Sequence, residues 1–263
     1  MNKKYIIANW KMAPSTLAEA GQILDSVNDY LETKLETRQG LVDQALPGIV
    51  VCPPFVFLEE VSKLLQTSHL DHNAQLGAQD IFWEDKGADT GEISGPMLNK
   101  LGVKYVIVGH SERRWKLGES GEVVNKKLKA VLRNEMIPIV CIGERSREGD
   151  WHAELWLQVS ATFRDLTAED LSKCLIAYEP IWAISSNPGA KPDTPESSLE
   201  AIRFVQTAIE DTRSGNIETK FLYGGSVTSR NVADFINQKE IEGVLVGSAS
   251  VNKEEFVKIL GQV

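Results

Sequence analysis

The chain is poor in cysteine, histidine, net positive charge and long apolar runs, and each shortage closes off a class of protein. Three cysteines stand among 263 residues, Cys52, Cys141 and Cys174. Their odd number and their spacing fit neither a disulfide framework nor a metal-ligand pattern. Each lies in an apolar run, so they read as buried free thiols suited to a reducing compartment. Of the four histidines, His69, His72 and His152 have no ligand partners at useful spacing, so no metal and no cofactor is expected. Lys and Arg number 28 against 37 Asp and Glu, a formal net charge of -9. That balance argues against binding to nucleic acid or to a membrane surface, both of which call for basic patches. It leaves room for an anionic ligand at a locally positive site. No run approaches the length of a transmembrane helix. The apolar stretch in the opening MNKKYIIANWKM is too short for a signal peptide, and no small-residue cleavage site follows it. A cytoplasmic protein is expected.

What is present is a regular alternation. Short apolar runs recur at 5–8, 49–52, 76–79, 105–108, 137–141, 175–178, 221–223 and 244–246. Most have the length and composition of strands buried on both faces. The run at 76–79 carries the weakest signal, because it is brief and holds Gly77 and Gln79. Between the runs, helix-like apolar spacing marks 16–35, 55–65, 121–133, 153–163, 197–212, 229–237 and 253–260. Thr194 before Pro195 predicts a helix start, as does Asn252 before the last helix. Strict alternation implies parallel strands with crossover helices, and about eight units in this length favour a closed (β/α)8 barrel over an open sheet. With no linker-like tract or repeat, a single catalytic domain over 1–263 is expected. Two turn-rich inserts, 80–95 and 185–195, are long enough to be functional.

The residues that follow the strands carry the chemistry, because sites in such barrels are built from loops at the strand C-termini. Asn9 and Lys11 follow the first strand, His110 and Glu112 the fourth, and Glu179 the sixth. Gly224-Gly225-Ser226 follows the seventh, and Gly247-Ser248 the eighth. Alone, a lysine is usually a solvated charge, a histidine is more often structural than catalytic, and glycines often just close tight turns. Together on one rim they compose a site. Small-residue turns after the last two strands expose backbone N–H groups to a phosphate, and Lys11 adds a point charge. Glu179 can take a proton from a carbon beside a carbonyl. His110 stands where a helix begins, which disfavours the imidazolium and suits a neutral ring that donates to the carbonyl oxygen. Base, electrophile and phosphate grip suit an aldose–ketose isomerisation through an enediol, without a metal.

These segments resemble the triosephosphate isomerase family along the whole chain. They are 8–12 (ANWKM), 77–80, 90–92, 109–114 (GHSERR), 141–144, 177–184 (AYEPIWAI) and 223–227. The resemblance implies the TIM-barrel fold and interconversion of glyceraldehyde 3-phosphate and dihydroxyacetone phosphate. In that reading Glu179 shuttles the proton, neutral His110 polarises the carbonyl, and Lys11 and Asn9 bind substrate and the enediolate charge. Glu112 supports the lysine and helps relay protons. Ser226, Gly247 and Ser248 offer N–H groups to phosphate, and Ser185 stands where the family's lid glycine does the same. It also implies a homodimer, with Thr90 of one chain near Asn9 and Lys11 of the other.

The chain departs from the family's pattern in three places. Its lid, 183–192, is longer, poorer in glycine and richer in proline. Ser248 replaces the second glycine of the last phosphate turn, and Asp89 stands where the interlocking loop often has an aromatic. The altered lid keeps two further readings open: an isomerase of the same fold acting on a tetrulose phosphate, and a barrel that binds phosphosugar without turnover.

Overall fold

Eight parallel strands close on themselves in sequence order. They are β1 (Tyr5–Asn9), β2 (Gly48–Cys52), β3 (Ala74–Ala78), β4 (Tyr105–Val108), β5 (Ile137–Ile142), β6 (Leu175–Tyr178), β7 (Lys220–Tyr223) and β8 (Ile241–Val246). The structure is a computed structural model and describes residues 4–37, 46–66, 70, 73–185, 187–212 and 217–263. His69, His72 and lid residue Ser186 lie outside the described residues. Within them stand ten helices: α1 (Leu17–Thr37), α2 (Leu58–Gln66), α3 (Gly95–Lys100), α4 (Ser111–Lys116), α5 (Gly121–Arg133), α6 (Trp151–Thr162), α7 (Ala168–Ser172), α8 (Pro195–Asp211), α9 (Val232–Ile236) and α10 (Lys253–Leu260).

The near-continuous apolar strands follow from burial on both faces. One set of side chains, including Ile7, Val50, Ile107, Ile139 and Leu222, packs in the barrel interior. The alternate set, with Ile6, Val51, Val106 and Val140, packs outward against the helices. All three cysteines are free and buried within these layers. The expected barrel is therefore present.

Several elements differ from the sequence pattern for local reasons. β3 starts two residues earlier than its apolar signal, because register with β2 pairs Ala74 with Ile49. The run from Phe55 opens as a 3₁₀ turn before α2 begins at Leu58. The helix read from 229 starts only at Val232, since Asn231 Oδ1 takes the Thr228 N–H at 2.8 Å and holds a turn. Thr194 and Asn252 cap α8 and α10 through their side chains as the sequence predicts.

Candidate active site

The first strand ends in a conformation that glycine would normally take. Lys11 has φ 56°, and its N–H donates to Asn9 Oδ1 at 3.1 Å. A lysine in the left-handed region is uncommon and marks a position fixed by its surroundings. Gln79, just past β3, supplies that support by donating to the carbonyls of both Lys11 and Cys52 at 2.9 Å. The lysine ammonium lies 2.9 Å from Glu112 Oε1. Gly247, after β8, leaves room for this side chain, because a Cβ there would stand 3.2 Å from Lys11 Cε.

His110 caps α4 in the position the sequence assigned to it. Its Nδ1 accepts the Glu112 N–H at 3.2 Å. Nδ1 acts as an acceptor in this contact, which leaves Nε2 to face outward as a donor. The Glu112 carboxylate stays 3.6 Å from Nδ1, too far for a hydrogen bond. Nε2 faces Glu179 Oε1 at 2.9 Å. Two further donors hold Glu179: the Ser111 N–H to Oε2 at 2.9 Å and the Ser111 hydroxyl to Oε1 at 3.0 Å. Burial pushes the Glu179 carboxyl up, yet the His110 contact, the Ser111 N–H and the Lys11 charge outweigh it and hold it below the usual carboxylate range. Gly143, at the end of β5, admits this arrangement, since a Cβ there would run into the Glu179 carbonyl.

α4 is itself anchored by a ring of charges in which Asp80, Glu119 and Lys127 are buried and Arg113 is half-buried. Arg113 lies 2.9 Å from Asp80 and 2.6 Å from Glu119, and Lys127 lies 2.6 Å from each. The ring ties the start of the 80–95 insert and α5 to the helix that carries His110, Ser111 and Glu112. Arg114 adds a second anchor by donating to the carbonyls of Gly109 and Cys141 at 2.8 and 3.1 Å.

Asn9, Lys11, His110, Glu112, Glu179, Ser185, Ser226, Gly247 and Ser248 all line one cavity of about 100 Å³, with Ile184, Gly224 and Gly225. Nine of the ten residues singled out from the sequence thus meet in one place. The cavity is far smaller than the several hundred Å³ typical of drug-sized sites, and suits a small ligand. Two wider surface depressions, one around Trp83 and Lys126 and one outside Arg230 and Lys258, lack the Glu179–His110 pair. Thr90, the tenth, is exposed on the far insert and is not among the residues lining its own chain's cavity.

The segment after β6 reaches the cavity through Ile184 and Ser185. Its arms are tied together: Lys191 N–H donates to Trp182 O at 3.1 Å, and the Asn187 amide donates to Ile181 O at 2.9 Å. Trp182 Nε1 also donates to Glu144 Oε1 at 2.8 Å, and so docks the segment's first arm on the barrel. Among the described residues, no group of three or more His, Cys, Asp or Glu could hold a metal ion. His152 stacks on Trp151 with ring centroids 3.6 Å apart.

Sequence reasoning assigned no role to Ser111, Gln79 or Gly143. Ser111 and Gln79 stood inside recognised segments, but their contacts cross from one strand end to another and leave no local signature. An N-cap residue followed by serine hints only at a helix start.

A family model described as Triosephosphate isomerase matches residues 4–263. Proteins named Triosephosphate isomerase are similar along the full chain. That of Thermoanaerobacter sp. (strain X514) is 38% identical over 263 residues, and that of Trichodesmium erythraeum (strain IMS101) 40% over 263 residues. That of Gloeothece citriformis (strain PCC 7424) is 41% identical over 260 residues. In each case 99% of this chain and 99% of the relative are covered.

Proposed function

The chain belongs to the triosephosphate isomerase family and is an isomerase, and from that premise we propose that its cavity interconverts glyceraldehyde 3-phosphate and dihydroxyacetone phosphate through Glu179, His110 and Lys11. The observation that supports the assignment of roles is His110 Nε2 standing 2.9 Å from Glu179 Oε1 while Nδ1 accepts the Glu112 N–H.

In the resting site both Glu179 oxygens are taken by donors. Substrate gives His110 a new acceptor, its carbonyl oxygen, and Glu179 turns from Ser111 toward the adjacent carbon. Losing hydrogen bonds to its charged form while staying buried raises the basicity of the carboxylate at the moment it is needed. Glu179 takes the carbon-bound proton, the carbonyl oxygen becomes an enediolate oxygen, and His110 and Lys11 stabilise its charge. Return of the proton to the neighbouring carbon completes the isomerisation, with Glu112 holding Lys11 in place and assisting proton transfer between the oxygens.

The phosphate is held by the turns after β7 and β8, through backbone N–H groups of Ser226, Gly247 and Ser248, with Asn9 and Lys11 on the substrate's other side. Ser185 contributes its N–H when the 180–192 segment closes as a lid. Closure carries Trp182 with it and excludes water from the enediolate. The enzyme works without a cofactor in the cytoplasm, as one domain over 1–263 and as a homodimer in which Thr90 reaches the partner's site. Exposed apolar side chains support the dimer: Met12 is 98% exposed beside Lys11, Val56 82% and Met97 57%. No helix among the described residues is long and apolar enough to cross a membrane.

A steady-state assay of the purified protein on glyceraldehyde 3-phosphate, with a tetrulose phosphate in parallel, tests the substrate. High kcat/KM on the triose supports the proposal. Preference for the tetrulose transfers the assignment to the longer sugar, and binding without turnover on either overturns catalysis.

A further inference from the structure

The start of the 80–95 insert faces α5 across a surface depression of about 570 Å³, a volume in the range of small-molecule sites, and the isomerisation uses none of it. Lys126, Lys129 and Arg133 line it from α5, at i, i+3 and i+7 and hence on one face of the helix. Lys86 lines it from the insert, with Trp83, Glu84 and Asp85. Two parts of the wall are fixed. Arg133 grips Asp85 with Nε at 3.1 Å and Nη2 at 2.9 Å, and Nη2 also donates to the Trp83 carbonyl at 2.9 Å. The Asn134 amide donates to the same carboxylate at 3.0 Å. Arg133 first and Asn134 second hold the Asp85 carboxyl below the usual carboxylate range, so its charge is matched within the wall. The Trp83 ring leans on Phe82, with ring centres 4.1 Å apart, and Lys126 Nζ stands 5.5 Å from the Trp83 ring centre.

The rest of the basin is positive without compensation. Among the described residues, Lys86, Lys126 and Lys129 stand in no ion pair, and Lys129 is half-buried. Of the lining carboxylates, Glu84 alone is left to offset three ammonium groups. The chain as a whole has a net charge of -9, so this concentration of cations runs against its average. Like charges at this helical spacing repel one another, and a bound anion relieves that repulsion. Seven residues of α5 separate Lys126 from Arg133, about 10 Å along the helix axis. One compact anion cannot touch both ends, whereas a chain of phosphoryl groups can, and ammonium and guanidinium groups are the ordinary ligands of phosphate. We propose that this depression is a second anion site, separate from the catalytic cavity, for a linear di- or triphosphate. Lys86, Lys126 and Lys129 hold the phosphoryl oxygens, and Arg133, fixed by Asp85, closes one end. Inorganic polyphosphate and the phosphates of a nucleotide present the same chemistry here. The site does not rest on the isomerase assignment.

Trp83 reports on the site. With 2-phosphoglycolate saturating the catalytic cavity, the purified protein is titrated with tripolyphosphate by calorimetry and by tryptophan fluorescence, and Trp83→Phe identifies the Trp83 share of the signal. The wild type should bind one equivalent with a saturable Trp83 response that weakens as salt rises. Orthophosphate at equal ionic strength should give none. Lys86→Gln and Lys129→Gln should each weaken binding roughly fivefold, the upper end for an exposed ion pair, and roughly twentyfold together. Both should leave kcat and KM unchanged, and Lys253→Gln, which removes a charge elsewhere on the surface, should leave binding unchanged. ATP binding more tightly than tripolyphosphate assigns the site to nucleotides, and otherwise the inorganic chain is the ligand; either result supports the proposal. No saturable binding by either readout overturns it. So does an equal loss in Lys253→Gln, which would reduce the effect to general charge attraction. Citrate binding as tightly as tripolyphosphate would remove the phosphoryl class. A wild type that fails to isomerise trioses would sink the functional reading and leave this test intact, because the lysine variants locate the site.

Discussion

Glu179 rests under three donors, and two of them come from one residue. Replacing Ser111 by alanine removes the hydroxyl at 3.0 Å and keeps the backbone N–H at 2.9 Å. The carboxylate loses a stabiliser of its charged form, so its depressed pKa moves back up toward the ordinary value. Because the folded-state pKa is depressed, ionised Glu179 is present above it and is lost as pH falls through it. The acid limb of kcat/KM, which reports the free enzyme, should therefore lie below the usual carboxylate range in the wild type and shift to higher pH in Ser111→Ala. A limb that stays in place would remove Ser111 from the tuning of the base. Lys11, His110 and Glu179 could be picked out of the sequence as candidates because each is a reactive side chain within two residues of the end of an apolar strand. Ser111 and Gln79 were not, because a serine and a glutamine acquire their meaning only from the residue they face.

At the scale of the element, α4 matters most, since it presents His110, Ser111 and Glu112 together. Its sequence, SERRWK, has almost no apolar periodicity, so only its cap could be read in advance. What fixes it is the ring of Arg113, Asp80, Glu119 and Lys127, formed by residues from three parts of the chain. Lys127→Met leaves two buried carboxylates to share Arg113. Breaking a buried ionic network by removing one member costs about 3–5 kcal/mol. Thermal unfolding should show a Tm lower by several degrees, and an unchanged Tm would mean that the ring contributes nothing to holding α4. The strands were far easier to read, because burial on both faces writes an apolar run into the sequence. β3 was the exception: Ala74 and Gln75 are strand residues by pairing with β2 rather than by composition.

At the scale of the whole molecule, the proposed second copy has exposed apolar side chains to bury after β1 and β2 and on α3. Met12, Val56 and Met97 are large, apolar and solvent-facing in the isolated chain, and Thr90 sits on an insert whose base is closed by the Phe82 N–H to the Ile93 carbonyl at 2.8 Å. Sedimentation should give a dimer, and Met12→Glu should shift it toward monomer with loss of activity on dilution. Full activity from a monomer at nanomolar concentration would contradict the homodimer and the reach of Thr90. The alternation of strand and helix made the barrel legible from end to end, whereas the proposed contacts between copies have no periodic pattern in the sequence.

The most direct measurement of the central claim is the steady-state rate of Glu179→Asp beside the wild type, with glyceraldehyde 3-phosphate as substrate. Shortening the side chain by one methylene keeps the charge and withdraws the base by about an ångström, a displacement that costs on the order of a hundredfold or more. The wild type should turn over the triose rapidly and the variant should lose at least that factor in kcat while remaining folded. A variant with wild-type kcat would mean that Glu179 is not the base.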